Sequence, residues 1–262
     1  TSFNGWNKHP VLEGRAYIAP CQRELDEAAA KGYDALKKAH VADHKALYDR
    51  VELDLGGGEE KYLPTDERLY RHENGEADPA LYALYFNFGR YLTIAASREG
   101  TEPTTLQGIW NDSVTPPWNC NYTININTEM NYWPTLMINL PECHEPLLRL
   151  VRELAESGER TAREYYGAPG FVSHHNTDLW RMTTPVGAHR RGTAVFASWP
   201  MSSGWFVRHI WEHYEYMQDR TYLKDVAYPI IKKAAEFYRA LLVKDENGDL
   251  IIAPSTSPEN CF

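Results

Sequence analysis

Asn, Asp, Glu, His and Trp crowd into four stretches of the chain. The first is Leu106-Gln107-Gly108-Ile109-Trp110-Asn111-Asp112, running on to Pro116-Pro117-Trp118. The second reads Tyr122-Thr123-Ile124-Asn125-Ile126-Asn127-Thr128-Glu129-Met130-Asn131-Tyr132-Trp133. The third is His174-His175-Asn176-Thr177-Asp178-Leu179-Trp180-Arg181, and the fourth is Pro254-Ser255-Thr256-Ser257-Pro258-Glu259-Asn260. Amide and carboxylate groups bond hydroxyls in pairs, and flat aromatic faces cover the C–H face of a pyranose ring while excluding water. A carboxyl group shielded from water holds its proton to higher pH and can pass it to a leaving oxygen. Together the stretches hold the inventory of a sugar site, with His175, Asn176, Asp178, Trp199 and Trp205 as candidate substrate contacts.

Each feature also has a structural reading. Asn125 and Asn127 lie two apart; if extended, both face one side, as a binding pair or as an exposed polar edge, while Ile124 and Ile126 face the core. Glu259 follows Pro258 on an irregular turn, where it can serve as an acid or cap a helix. His174, His175, Asp178 and His189 match no metal-ligand spacing, so no metal is expected. No Gly-x-Ser-x-Gly elbow is present, which argues against Ser202 and Ser203 as nucleophiles. Cys21, Cys120, Cys143 and Cys261 form no C-x-x-C pair and read as free thiols. Gly56-Gly57-Gly58 is not followed by Gly-Lys-Ser/Thr, so it is a flexible turn, not a phosphate loop.

The elements that must position these residues are mostly helical. Thr1 to Pro20 reads as loop and strand, punctuated by Gly5, Pro10, Gly14 and Pro20. Leu25 to about Asp49 is rich in Ala, Lys and Glu and predicts a helix. Val51 to Gly58 alternates apolar and charged residues and predicts a short strand. Asp78-Pro79 supplies an N-cap and an N1 proline for a helix to about Ser97, apolar nearly all round and expected to be buried on several sides. A helix from about Cys143 to Tyr166 ends at Gly167. Helices over Ser202–Met217 and Thr221–Val243, joined by Gln218-Asp219-Arg220, predict an antiparallel hairpin. Asn247-Gly248 marks a tight turn before an extended run, Leu250 to Ala253. The longest loops, Thr101 to Asn127 and Gly170 to Pro200, carry most of the candidate residues, and loops of that length are usually functional.

Composition narrows the class. The 262 residues carry 27 basic and 36 acidic side chains, net −9, with 43% hydrophobic and 13% aromatic residues. That balance belongs to a folded globular chain. The acidic excess, with no Lys/Arg cluster, argues against nucleic acid or an anionic membrane as partner. No apolar run approaches the roughly 18 residues of a membrane span. The chain opens on Thr1 and stops at Phe262, just after Ser257-Pro258-Glu259-Asn260, and is expected to be a fragment.

Taken together and in order, Leu106–Asp112, Tyr122–Trp133, His174–Arg181 and Ser257–Asn260 resemble glycoside hydrolase family 95, the inverting α-L-fucosidases. Thr1–Trp6, Leu63–Leu69, Leu81–Tyr91 and Trp211–Leu223 support the resemblance, which runs over essentially the whole chain. It implies a mainly α chain: part of an (α/α)6 toroid of helix hairpins with long functional loops, behind a short β or irregular segment. Residues 1–24 would end a preceding β-rich domain, 25–77 would be a helical linker region, and 78–262 would be the first half of the toroid. The implied reaction is release of terminal L-fucose, typically α-1,2-linked to galactose, from a glycan. The alternatives are α-L-galactosidase on the same scaffold or, for the fragment alone, a non-catalytic sugar-binding or structural helical domain. By the same resemblance Glu259 is the general acid, and Asn125 and Asn127 position the attacking water. The base is an Asp beyond Phe262, so the isolated chain is expected to be inactive and to self-associate through unpaired toroid helices. No cofactor is implied, and the implied location is extracellular or periplasmic.

Overall fold

The computed structural model describes residues 3–9, 11–186 and 194–258. Its elements are α1 (Ile18–Lys31), α2 (Tyr33–Tyr48), α3 (Thr65–Glu73), α4 (Pro79–Ala96), β1 (Tyr122–Thr123), α5 (Asn127–Tyr132), α6 (Pro134–Met137), α7 (Pro141–Tyr166), β2 (Asn176–Thr177), α8 (Ala194–Ala197), α9 (Ser202–Met217), α10 (Arg220–Tyr222), α11 (Tyr228–Leu241), β3 (Leu242–Lys244) and β4 (Leu250–Ile252). The described chain is mainly α, in helix pairs joined by long loops, as its sequence implies.

Helix α7 is the centre. Its apolar residues recur at helical spacing, so Leu147, Leu150, Val151 and Leu154 fall on one face and are fully buried. Each such side chain contributes roughly 1.5–3 kcal/mol by leaving water. Against that face pack Tyr122, Ile124 and Tyr132 from β1–α5, Phe206 and Ile210 from α9, and Ile230 and Ala234 from α11. Gly167 ends α7 in the left-handed conformation, φ 59°. The returning chain then crosses very close to its neighbours. A side chain on Gly170, φ +78°, would sit 2.0 Å from the Lys233 carbonyl oxygen, and one on Gly158 would sit 2.5 Å from that of Val172.

The α9–α11 hairpin is antiparallel. Tyr238, late in α11, reaches the start of α9, where its hydroxyl lies 2.9 Å from Ser203 Oγ and accepts from Gly204 N at 2.8 Å. Asp219 caps the second arm through the N–H groups of Thr221 and Tyr222. That arm is not one regular helix: residues Leu223–Ala227 form a π-helical turn between α10 and α11. Strands β3 and β4 pair antiparallel around Asn247-Gly248, with Leu242 opposite Ile252.

Four other expectations are corrected. The single helix from Leu25 is two, broken at Gly32 with φ 73° and ψ 162°, and α1 already starts at Ile18. Residues 51–58 form no strand; the Arg90 guanidinium donates to the Val51 carbonyl at 2.7 Å, and no second strand lies alongside among the described residues. Residues 3–9 and 11–17 are irregular, without strand. Helix α4 starts as expected, with Asp78 accepting from Leu81 N and held by Arg68 at 2.8 and 2.9 Å. Yet it is not buried all round: Leu81, Arg90, Ile94 and Ala96 are buried, whereas Tyr82, Leu84, Tyr85 and Phe88 are exposed.

Candidate active site

Two of the sequence stretches meet directly. Strand β1 pairs antiparallel with β2, placing Tyr122 opposite Thr177 and Thr123 opposite Asn176. The ladder continues from Ile124 N to the His175 carbonyl at 2.8 Å. Side chains repeat the pairing: Asn176 Nδ2 donates to Thr123 Oγ1 at 3.3 Å, and Thr123 Oγ1 donates to Asn121 Oδ1 at 2.7 Å.

The chain then turns instead of running on. Residues 124–126 form a turn, Met130 N bonds the Ile126 carbonyl, and Thr128 Oγ1 reaches back to the Thr123 carbonyl at 3.0 Å. This corrects the extended reading. Ile124 is fully buried, but Ile126 is 45% exposed, because the turn rotates it outward. Asn125 is half-buried and Asn127 opens α5 on the surface.

His175 Nε2 lies 3.2 Å from Asn125 Oδ1. The amide oxygen can only accept, so this ring nitrogen carries the hydrogen. With Oδ1 occupied, Asn125 has its Nδ2 donors left for a ligand. The neighbouring His174 is different: its Nδ1 donates to the Thr183 carbonyl at 2.5 Å and its Nε2 accepts from the Tyr166 hydroxyl at 2.6 Å. Both nitrogens are used inside the fold, and burial pushes its pKa down, so His174 is a neutral structural residue.

The remaining candidates lie apart in role. Asp178 Oδ1 accepts from Trp180 N at 2.9 Å and Met182 N at 3.2 Å, shaping the turn that ends the third stretch. Trp205 on α9 is half-buried, edge-to-face with Trp133 at 6.2 Å. Trp199 is buried, 8% exposed. Glu259, Asn260 and His189 lie outside the described residues; the approach to Glu259 is anchored at Thr256, whose hydroxyl bonds the Val195 carbonyl. The first and second stretches line a cleft of about 370 Å³ together, with Gln107, Gly108 and Trp110 from the first and Asn131 and Tyr132 from the second.

Comparison with known proteins decides the family. A model of the glycosyl hydrolase family 95 catalytic domain matches residues 32–262. Alpha-L-fucosidase 2 of Arabidopsis thaliana is 40% identical over 100% of this chain, which spans 31% of that relative. Probable alpha-fucosidase A of Aspergillus niger is 36% identical over 89% of this chain and 29% of its own length. The chain belongs to the family 95 catalytic domains. It spans under a third of the length of these relatives, and the described helix pairs are part of the family's helical toroid.

Two buried ionisable residues within these stretches carry no signal of their burial in residue type alone. Arg181 is 1% exposed and closes the third stretch. Its Nη2 donates to Glu102 at 2.6 Å, its Nε to Glu153 at 2.7 Å, and its Nη1 to the carbonyls of Asp178 and Leu179. Burial opposes its charge, and the two carboxylates outweigh burial. Glu129 on α5 is fully buried, and burial raises its pKa to about 8. The one available signal was its spacing: Tyr132 and Trp133, three and four residues on, place it on an inward helix face.

Proposed function

We propose that this chain carries the first half of the catalytic ring of an exo-acting α-L-fucosidase, which releases terminal fucose, α-1,2-linked to galactose, with inversion. The observation that carries this reading is the junction of the Asn-x-Asn turn with the His-His-Asn stretch, where His175 occupies Asn125 Oδ1 and leaves amide donors for a ligand. The family match supports the substrate class, since its named relatives are fucosidases.

In this mechanism Asn125 and Asn127 hold a water on the face of the sugar opposite the leaving oxygen. Water attacks the anomeric carbon as Glu259 gives its proton to the glycosidic oxygen, through an oxocarbenium-like transition state. An amide cannot take up the proton that water loses, so a carboxylate base is required, supplied by sequence beyond this chain. His175, Asn176, Asp178, Trp199 and Trp205 are the proposed substrate contacts. Acid–base hydrolysis of this kind needs no metal or organic cofactor.

The test uses a polypeptide extended to the length of the relatives, incubated with 2′-fucosyllactose and followed by proton NMR. β-L-Fucose should appear first and mutarotate afterwards. The α anomer appearing first would overturn inversion, and absence of free fucose would overturn the activity. The 262-residue chain alone should show no turnover and should self-associate through the exposed face of α4, since apolar surface of that kind is normally covered.

A further inference from the structure

Glu129 sits in an unusual place for a carboxylate. It lies two residues after Asn127 in the first turn of α5, 0% exposed, and neither carboxylate oxygen has a hydrogen-bond partner among the described residues. The turn above it is held by few contacts: Met130 N to the Ile126 carbonyl, Thr128 Oγ1 to the Thr123 carbonyl, and Trp133 N to the carbonyl of Glu129 itself.

We propose that Glu129 is a positioning residue for the reaction, which keeps the Asn125–Asn127 turn seated only while its carboxyl holds a proton. The inference rests on the Asn pair being the water-holding element. A neutral acid is tolerated in a dry site, whereas an unpaired carboxylate there is strongly disfavoured. Once ionised, Glu129 can regain hydration only if the first turn of α5 opens, and that turn carries Asn127 and adjoins Asn125.

Among the described residues, no cation is placed to relieve the charge. Within the same set, α5 packs on β1, which carries Tyr122, on α6, which carries no titratable group, on α7, whose His144 meets Tyr132, and on α9, whose His209 meets Trp133. Glu145, Arg149, Arg208, Glu212 and His213 belong to the same two helices, α5 itself holds Tyr132, and His175 meets Asn125 on the adjoining turn. None of these charges acts on Glu129. Burial raises its pKa to about 8, opposed only weakly by its own backbone N–H. Arg149 is committed to Glu102 at 3.3 Å, and Arg208 to Glu212 at 2.8 Å.

The test compares wild type with Glu129→Gln in the extended polypeptide, using a fucoside with an acidic phenol as leaving group, whose departure needs little help from Glu259. Wild-type kcat should fall about tenfold per pH unit above the pKa of the buried acid, the slope of one ionisation. Glu129→Gln has no proton to lose, so its kcat should stay level over that range and match wild type at pH 7. Superimposable pH profiles would overturn the proposal, as would a variant that folds but is inactive at pH 7. A second measurement needs neither variant nor substrate. Hydrogen exchange in wild type at pH 7 and pH 9, corrected for base catalysis, should show protection lost over residues 123–133 and kept in α11. Equal protection at both pH values would overturn it. Because exchange requires no turnover, it separates failure of this inference from failure of the fucosidase reading.

Discussion

Replacing Arg181 with Met should loosen the loop that positions His175 and Asn176. The side chain is almost fully buried and makes four hydrogen bonds, two to carboxylates and two to carbonyls. Breaking a buried ion pair from one side costs about 3–5 kcal/mol, because the remaining charge is left uncompensated. Here Arg149 still reaches Glu102 at 3.3 Å and Glu153 at 3.6 Å, so the loss belongs near the lower end, about 3 kcal/mol. At roughly 2–4 °C per kcal/mol for a domain of this size, the melting transition should drop by about 10 °C. Arg181→Lys keeps the charge but not the fork and should fall between the two. The decisive assay is a double-mutant cycle with Glu153→Met: removing both partners should cost clearly less than the sum of the single losses. Additive losses, or an Arg181→Met loss below about 1 kcal/mol, would refute the view that this ion cluster holds the loop.

Other outcomes follow from the same geometry. Glu259→Gln in the extended polypeptide should cut kcat at least about 10²-fold when galactose leaves and much less when an acidic phenol leaves, whereas Asn127→Asp should slow both substrates together. Equal losses for Glu259→Gln with a lowered melting temperature would mark that residue as a helix cap. Gly170→Ala should prevent close packing on α11, since its Cβ would meet the Lys233 carbonyl at 2.0 Å in a left-handed conformation; an unchanged melting temperature would contradict it. His209 stays neutral in the fold because burial lowers its pKa to about 4, so the unfolded chain binds the extra proton and stability is lost as pH falls from about 6.5 towards 4. That is worth about 3 kcal/mol, and His209→Phe should flatten this acid limb in melting curves against pH.

Helix ends that carry their own signals were legible. Asp78-Pro79 and Gly167 mark boundaries through local chemistry, and Ser202–Met217 runs as its apolar spacing predicts. Elements that depend on partners were not. Residues 51–58 have strand composition but pair with no strand among the described residues, so they stay irregular. Helix α4 reads as buried because Tyr82, Leu84, Tyr85 and Phe88 are apolar, and sequence composition says nothing about whether a covering helix lies in the same 262 residues.

At the site, residue types were legible and their placement was not. Alternation through Ile124, Asn125, Ile126 and Asn127 suits a strand and equally a strand that ends and turns into a helix. What selects the turn is the side chain of Thr128 bonding back to Thr123, together with the β1–β2 pairing. The contacts that orient Asn125 and close the third stretch join residues 50 and 79 positions apart, His175 with Asn125 and Arg181 with Glu102. No local pattern encodes such pairings; they exist only once α7 has gathered both loops over one hydrophobic face. This also explains why Glu129 escaped notice. A glutamate in a short polar helix is normally solvated, and it becomes a proton-holding acid only because Tyr132, three residues on, belongs to the buried cluster against α7 while Trp133, four residues on, packs on Trp205 and His209 of α9. The same burial that seats α5 against α7 and α9 therefore places an ionisable group two residues after Asn127, and the alkaline limit we propose follows from that packing.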